Sequence, residues 1–247
     1  PILRIKDLRV AFKSASGLNE VLHGISYDLY VDEILGIVGE SGSGKSVASL
    51  AIMGLLPLKS GVTASGEILF NTENIIDYSQ KQLEAIRGKK IAMIFQEPMS
   101  ALNPSLTCGF QVAEILLHHK KVSASEVKKE VLQLFEKVKL PRPQDMYTSY
   151  PHQISGGQMQ RVVIAMAIAC KPKILIADEP TTALDVTIQA QILDLMGKLK
   201  RELGMSILFI THDLGLVQEF SDQVCVMKNG EIVEQGNTKK VFQNPSH

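Results

Sequence analysis

The stretch Gly39-Glu40-Ser41-Gly42-Ser43-Gly44-Lys45-Ser46 has the spacing G-x-x-x-x-G-K-S of a phosphate-binding loop. An apolar run at 34–38 precedes it, and an apolar helical segment at 47–53 follows it. Its glycines allow backbone N–H groups to converge on phosphate oxygens, and a helix that begins at the anion adds its partial positive charge. This strand–loop–helix context favours a nucleotide site over a flexible glycine-rich turn.

Two side chains of this loop have predicted roles. We expect Lys45 to reach the terminal phosphates of the nucleotide, and the hydroxyl of Ser46 to ligate Mg²⁺. The loop therefore predicts both a nucleoside triphosphate and its metal ion.

The composition is that of an ordinary soluble globular protein of 247 residues, with 45% hydrophobic and 21% charged residues. Lys plus Arg and Asp plus Glu number 26 each, so no global field points to nucleic acid or to a charged membrane surface. The cysteines Cys108, Cys170 and Cys225 are isolated, which predicts reduced structural thiols of a cytosolic protein. No apolar run is long enough to span a bilayer, and the N-terminus lacks the apolar region of a signal peptide. Any action at a membrane is therefore expected to need a partner.

The N-terminal part reads as β structure. Residues 2–12 alternate loosely and predict an edge strand, 17–19 predict a turn, and 21–30 predict a second strand. Phe12 precedes the phosphate loop closely enough to fold back onto a nucleotide base. Stacking on that base and packing against the sheet both fit the pattern.

The segment after the first helix is predicted to contain a loop at 59–65, a strand at 66–71 and a short helix at 80–87. A buried strand at 91–95 then ends at Gln96. The Gln96 amide both donates and accepts hydrogen bonds, which suits a metal ligand or a residue that holds a water molecule.

From Glu97 to Ile154 the pattern becomes mostly helical. One helix is predicted at about 111–119, and a second opens with a capping box formed by Ser123 and Glu126. This segment therefore predicts a helical insertion.

The next helix opens with Ser155-Gly156-Gly157-Gln158, in which Ser155 and Gln158 have the form of a capping box. Two glycines in a first turn are unfavourable, at up to about 1 kcal/mol each relative to alanine. Close backbone packing explains them, and so does a helix N-terminus shaped to receive an anion. The residues alone leave these explanations equal.

Two carboxylates follow a continuous apolar strand at 174–177, where the sites of α/β proteins lie. Because adjacent strand residues face opposite ways, we expect Asp178 and Glu179 to divide their roles. Asp178 is expected to hold Mg²⁺ through water, and Glu179 to polarise an attacking water.

The C-terminal part continues the alternation of helices and strands. A helix is predicted at 187–203, a buried strand at 206–210 and a hairpin at 223–236 with an Asn229-Gly230 turn. His212 follows the buried strand, where a histidine can contact a γ-phosphate. The whole pattern predicts a doubly wound α/β core.

Taken together and in this order, the motifs resemble the nucleotide-binding domain of ATP-binding cassette (ABC) transporters over essentially the whole chain. They are the phosphate loop (Walker A), Gln96 (Q-loop), Ile154–Gln158 (signature), Asp178-Glu179 (Walker B), Ala183-Leu184-Asp185 (D-loop) and His212 (switch histidine). The resemblance implies a P-loop NTPase fold, with a RecA-like core, an N-terminal antiparallel β subdomain and an inserted α-helical subdomain. It also implies a single domain over 1–247, with the core at 1–96 and 159–247 and the helical insertion at 97–158.

The resemblance implies the following site residues, with ATP and Mg²⁺ as cofactors. The catalytic set is Glu179, His212, Gln96 and Lys45, and the metal ligands are Ser46, Gln96 and Asp178. The ATP contacts are Phe12, Gly39, Glu40, Ser41, Gly42, Ser43, Gly44, Lys45, Ser46 and Val47 from one subunit. Those made in trans are Ser155, Gly156, Gly157, Gln158 and Asp185. In the family, this signature helix presents its N-terminus to the γ-phosphate bound by the opposite subunit, which favours the anion explanation for its glycines.

A narrower resemblance, to the oligopeptide, dipeptide and nickel importer branch, lies in residues 95–104, 150–153 and 177–195. Three departures are mild: Ile154 replaces the usual leucine, Gln158-Met159 replaces Met-Arg, and Asp32-Glu33 replaces Gly-Glu. Many members extend beyond an Asn-Pro-x-His stretch such as 244–247, so a fragment or one half of a fused double ATPase is expected.

The resemblance implies an ATP-hydrolysing subunit that works as a head-to-tail dimer on the cytoplasmic face of the cell membrane. Its expected partners are a second nucleotide-binding domain, transmembrane permease subunits and, indirectly, an extracytoplasmic solute-binding protein. Nucleic acid is not expected. The alternatives are a soluble ABC ATPase that acts on nucleic acid or ribosomes, which salt-sensitive nucleic-acid binding would support, and a non-hydrolysing ATP-dependent clamp.

Overall fold

A computed structural model of the chain describes residues 1–14, 17–57, 61–119 and 123–246. The chain divides into two compact units. The first unit combines Pro1–Arg87 with Ser206–His247, and the second unit is Gly88–Met205. The predicted helical insertion at 97–158 falls within the second unit, and its boundaries remain a prediction.

Three strands open the chain, helices run from 98 to 168, and strands and helices alternate over most of the rest. The strands are β1 (Leu3–Ser14), β2 (Gly17–Leu29), β3 (Ile34–Gly39), β4 (Val62–Phe70), β5 (Glu73–Asn74), β6 (Ile91–Ile94), β7 (Ile174–Asp178), β8 (Ser206–Thr211), β9 (Gln223–Lys228) and β10 (Glu231–Asn237). The helices are α1 (Lys45–Ile52), α2 (Gln80–Ile86), α3 (Pro98–Ala101), α4 (Cys108–His119), α5 (Ala124–Lys137), α6 (Pro143–Thr148), α7 (Gly156–Ile168), α8 (Val186–Leu203), α9 (Leu214–Phe220) and α10 (Thr238–Gln243). A short 3-10 helix, Pro151–Gln153, precedes α7.

The first unit contains an antiparallel sheet in the order β2-β1-β4-β5. The prediction of β1 as an edge strand was wrong, because β4 pairs along its second side. The turn predicted at 17–19 was also wrong: Gly17, Leu18 and Asn19 belong to β2 and pair with Ser14, Lys13 and Phe12. Part of the loop predicted at 59–65 is strand, since β4 begins at Val62, while residues 59 and 60 lie outside the described residues.

The first unit also holds β3 between β8 and β9, to both of which it is parallel. Residues 34–38 of β3 are all buried, as expected of a strand covered on both faces. Strand β10 returns antiparallel beside β9 through the Asn229-Gly230 turn, which confirms the predicted hairpin. The phosphate loop therefore leaves the interior of a largely parallel sheet.

The second unit contains the parallel pair β6 and β7 together with helices α3 to α8. The capping boxes predicted at Ser123 and Ser155 are confirmed at the starts of α5 and α7. Strand β6 ends at Ile94, one residue earlier than predicted, and the next side chain, Phe95, is 43% exposed. Within the described part of the chain, no helix is long and apolar enough to cross a membrane.

Candidate nucleotide site

The phosphate loop connects the end of β3 at Gly39 to the start of α1 at Lys45. Lys45 is 5% exposed, and its Nζ donates hydrogen bonds to the carbonyl oxygens of Gly39 and Glu40, at 2.8 Å each. The ammonium group of Lys45 thus lies against the backbone of the phosphate loop. A bound phosphate offers this cation a charged partner in place of two neutral carbonyls.

Two glycines of the loop are required, Gly39 by a close approach of backbone and Gly44 by its backbone conformation. A Cβ on Gly39 would lie 2.2 Å from the carbonyl oxygen of Met227. Gly44, which caps α1, has a φ of 99°, and a Cβ there would lie 2.6 Å from Cδ2 of Leu22. A larger residue at either position would force the loop out of its path.

The hydroxyl of Ser43 indicates that this loop is built for a ligand. Ser43 is buried, and its Oγ has no hydrogen-bond partner among the described residues. Buried polar groups are normally paired, and an orphaned one calls for an explanation. A phosphate oxygen within the loop would provide the missing partner.

The other residues predicted to contact phosphate lie at the open side of the loop. Glu40, Ser41, Gly42 and Ser46 are exposed, and Val47 is half-buried at the start of α1. An ideal Cβ on Gly42 would meet no described atom within 4 Å, so the space above this turn is open.

The β9–β10 turn braces the phosphate loop, a contact that the sequence analysis missed. The Gly230 N–H donates to the carbonyl of Ser43 at 3.1 Å, and the Gly230 carbonyl accepts from the His23 N–H at 2.9 Å. A Cβ on Gly230 would lie 2.3 Å from the carbonyl oxygen of Val21. The Asn-Gly pair predicts a hairpin turn, but nothing local in the sequence indicates what that turn touches.

His212 lies on the same edge of the parallel sheet as the phosphate loop. It follows Thr211, which is in register with Val38 on the neighbouring strand β3. The residues just after these two, His212 and Gly39, therefore leave adjacent parallel strands at the same end. His212 is exposed, and the next residue, Asp213, caps α9.

Phe12 lies on β1 opposite Asn19 of β2 and Val62 of β4, and it is half-buried. A half-buried ring can pack on the sheet with one face and present the other face to a base. Its base contact stays a prediction.

The second unit positions the carboxylates predicted for hydrolysis. Asp178 ends β7 and is 4% exposed, whereas Glu179 has already left the strand with a φ of 47°. We expected the two side chains to face opposite ways because both residues belong to one strand. That reason was wrong, since the strand ends at Asp178. A left-handed backbone at Glu179 turns the chain at that point.

Gln96 and Thr182 both donate to one oxygen of the Glu179 carboxylate. The distances to Glu179 Oε2 are 3.1 Å from Gln96 Nε2 and 2.9 Å from Thr182 Oγ1. Gln96 reaches this position because β6 and β7 are parallel, with Ile94 in register with Ala177. Gln96 was predicted from the sequence, whereas Thr182 was not. The available signal for Thr182 was its place three residues after Glu179.

The N-terminus of α7 is capped from within. Ser155 Oγ accepts from the Gln158 N–H at 3.3 Å, and Gln158 Oε1 accepts from the Ser155 N–H at 2.9 Å. The two glycines differ: a Cβ on Gly157 would lie 2.9 Å from Cγ2 of Ile188, whereas one on Gly156 would have ordinary contacts. Close packing therefore explains Gly157, whereas the contacts within the described chain do not require a glycine at position 156.

Asp185 has a structural role in its own chain. It is the N-cap of α8, where its Oδ1 accepts from the Ile188 N–H at 2.9 Å. Any contact that it makes across an interface is additional to this cap.

The model of the ABC transporter family matches residues 22–182. The oligopeptide transport ATP-binding protein OppD of Bacillus subtilis is 50% identical over 100% of this chain and 69% of the relative. The dipeptide transport ATP-binding protein DppD of the same organism is 50% identical over 100% of this chain and 73% of the relative. The chain covers only 45% of a third relative, the peptidoglycan transport ATP-binding protein YejF of Agrobacterium fabrum, at 49% identity.

Solved structures agree with these sequence relatives. The dimeric, post-hydrolysis ATP-binding cassette MJ0796 with bound ADP and Pi superimposes with a TM-score of 0.84 at 29% identity, over 96% of this chain and 98% of that one. CbiO1 of Clostridium perfringens, part of an ABC transporter complex, gives a TM-score of 0.82 at 31% identity, over 98% and 91%. These similarities confirm the predicted fold class.

Proposed function

The chain belongs to the ABC transporter family, and we propose that it is the ATP-hydrolysing subunit of an importer of oligopeptides or dipeptides, or of nickel. The observation that carries the hydrolytic part is the Glu179 carboxylate, held by two donors directly after a buried strand. The relatives named for oligopeptide and dipeptide transport, at 50% identity over the whole chain, support the peptide cargo.

ATP binding is proposed for the phosphate loop. Lys45 would exchange its two carbonyl partners for the terminal phosphates, and the buried Ser43 hydroxyl would gain a partner. Helix α1 begins at the loop, so its N-terminus favours the negative charge. Phe12 is proposed to stack on the base, and His212 to contact the γ-phosphate.

A magnesium ion fits the oxygen donors that the chain offers. Mg²⁺ prefers carboxylate, carbonyl and hydroxyl oxygens, and it commonly shares them with substrate phosphates. Ser46, Asp178 and Gln96 supply such oxygens and would hold the ion. Mg²⁺ bound there supplies positive charge that offsets the charge of the phosphates.

Glu179 is proposed as the general base. Its carboxylate accepts a proton from a water molecule as the water oxygen forms a bond to the γ-phosphorus. The bond between that phosphorus and the oxygen bridging to the β-phosphate breaks, and the products are ADP and inorganic phosphate. Lys45 and His212 stabilise the negative charge that moves to the leaving and equatorial oxygens.

The remaining predicted residues point to a second subunit. We propose that Ser155, Gly156, Gly157, Gln158 and Asp185 contact the ATP held by another nucleotide-binding domain, in a head-to-tail dimer. Two observations support this arrangement: contacts within the described chain do not require a glycine at position 156, and the MJ0796 structure is dimeric. Permease subunits would hold the dimer at the cytoplasmic face of the membrane, and a solute-binding protein would deliver cargo to them.

Replacing the carboxylate with an amide tests this function. Glu179→Gln keeps the shape of the side chain but not the base, so the turnover number for ATP should fall by roughly 100- to 10,000-fold while the Kd for ATP is retained. Steady-state phosphate release and equilibrium ATP binding measure the two quantities. Glu136→Gln, at an exposed position of α5, serves as the matched control and should leave both unchanged.

The same pair of variants tests the transport part in cells. A host that depends on this chain should take up a labelled dipeptide or oligopeptide with the control variant and fail to do so with Glu179→Gln. Wild-type turnover in Glu179→Gln would contradict the base assignment. Peptide uptake that continues without ATP hydrolysis would contradict the transport assignment.

A further inference from the structure

We propose that Thr182 is a positioning residue for ATP hydrolysis, which holds the Glu179 carboxylate in the orientation that accepts the proton of the attacking water. This inference rests on the proposed function, and it assigns a role to a residue outside the predicted catalytic set.

The contact is direct and well formed. Thr182 Oγ1 donates to Glu179 Oε2 at 2.9 Å, within the ordinary range of an O–H···O hydrogen bond. Gln96 Nε2 donates to the same oxygen at 3.1 Å. Two donors that approach one oxygen from different elements restrict rotation of the carboxylate about its last side-chain torsion, which otherwise has a broad energy profile.

Thr182 is held by the same turn in which the half-buried Glu179 leaves β7. The Thr182 N–H donates to the carbonyl of Glu179 at 3.2 Å, across a turn in which Glu179 has a φ of 47°. Because threonine is branched at Cβ, its χ1 has few rotamers, so the turn fixes the hydroxyl as well as the backbone. The half-buried position of Thr182 limits competition from water for that hydroxyl.

Gln96 and Thr182 differ in how easily each can break its hydrogen bond to the Glu179 carboxylate. Gln96 is exposed, has three side-chain torsions and is also a proposed metal ligand, so its amide has another task when nucleotide binds. Thr182 is three residues from Glu179 and makes both a backbone and a side-chain contact with it. We therefore infer that the hydrogen bond from Thr182 to the carboxylate persists when nucleotide binds, and that the one from Gln96 is replaced.

The loss of this hydroxyl should affect turnover rather than binding. A hydrogen bond to a charged group and the correct placement of a base together correspond to an effect of about 10- to 100-fold on rate. Thr182→Val removes the hydroxyl and keeps the branched shape, so the turnover number should fall by that factor while the Kd for ATP stays within about twofold. Thr182→Ser retains a hydroxyl and should recover most of the turnover.

The control variant is Thr148→Val, at an exposed position at the end of α6, which should hydrolyse ATP like the wild type. ATP binding shows whether each variant is folded, and Thr182→Ala replaces Thr182→Val if the latter fails to bind. Wild-type turnover in the variant without the hydroxyl, or a failure of Thr182→Ser to recover, would overturn the inference.

A double-mutant cycle separates positioning from a general structural effect. If Thr182 acts through Glu179, then adding Thr182→Val to Glu179→Gln should leave the residual turnover unchanged, since the base has already been removed. An additive loss would mean that Thr182 acts elsewhere and would overturn the inference. A wild-type chain without ATPase activity would instead reject the proposed function itself.

Discussion

Glu179 combines a predicted chemical role with a backbone conformation that non-glycine residues seldom adopt. Its φ of 47° corresponds to a cost of about 1–3 kcal/mol, which persists only where surrounding contacts hold it. Thr182 supplies both a backbone and a side-chain contact to that residue. The sequence predicts a carboxylate after a buried strand, but a backbone angle has no signature in residue type here, so the turn could not be predicted.

The buried thiols allow a test at the residue scale. Burial raises the pKa of Cys225 to about 12 and that of Cys108 to about 11. Because the thiolate is the reactive form, these thiols should be almost unreactive at pH 8 in the folded protein. Cys170, which is less buried, should be alkylated first, and mass spectrometry of iodoacetamide-treated protein identifies the order.

The pH dependence of this labelling has a definite sign. A raised pKa keeps the thiol protonated, so labelling of Cys225 should increase only as the pH approaches the raised value or when the chain is unfolded in guanidinium. Guanidinium-unfolded protein at pH 8 is the control, in which all three cysteines should react. Prompt labelling of Cys225 or Cys108 in folded protein at pH 8 would contradict their burial.

At the scale of elements, the phosphate loop depends on a hairpin about 190 residues away in sequence. The Gly230 N–H and carbonyl join the loop at Ser43 to β2 at His23. Patterns along the chain predict that the loop and the hairpin exist. They do not report on contacts between segments that are distant in sequence, because those contacts depend on how the strands pair.

Gly230→Ala tests whether this turn supports nucleotide binding. Gly230 has a φ of 80°, and an added Cβ would lie 2.3 Å from the carbonyl oxygen of Val21. We expect a free energy of unfolding lower by about 1–3 kcal/mol and weaker ATP binding, because the hydrogen bond to Ser43 is displaced. Chemical denaturation and ATP titration measure the two effects.

Gly204→Ala is the matched control. Gly204 ends α8 with a φ of 60°, yet a Cβ there would have no described atom within 4 Å. It therefore carries the strain of the left-handed backbone without the close approach. If both variants lose the same stability and neither weakens ATP binding, the hairpin does not brace the loop.

Element predictions succeeded where the signal was local. Capping boxes at Ser123 and Ser155 identified the starts of α5 and α7, and apolar runs identified β3, β7 and β8. The edge position predicted for β1 failed because β4, its second neighbour, is separated from it by β2, β3 and α1. Alternation within a strand indicates which face is buried and says nothing about the number of its neighbours.

At the scale of the whole molecule, a neutral chain consists of two oppositely charged units. Gly88–Met205 holds 15 Lys and Arg against 11 Asp and Glu, and the rest of the chain holds 11 against 15. The overall balance of charge conceals this difference. Opposite charges of this kind favour the association of one chain with another, as the proposed dimer requires.

The proposed shared site requires that ATP joins two chains through Gly156. Glu179→Gln with ATP and Mg²⁺ should sediment as a dimer, because bound ATP persists without hydrolysis. Adding Gly156→Asp, for which the backbone has room, should give a chain that binds ATP yet sediments as a monomer, since the new carboxylate repels the partner's γ-phosphate. Gln144→Asp, in the first turn of α6, is the control and should leave the dimer intact. A dimer that persists with Gly156→Asp, or an ATP-saturated Glu179→Gln chain that stays monomeric, would contradict the shared site.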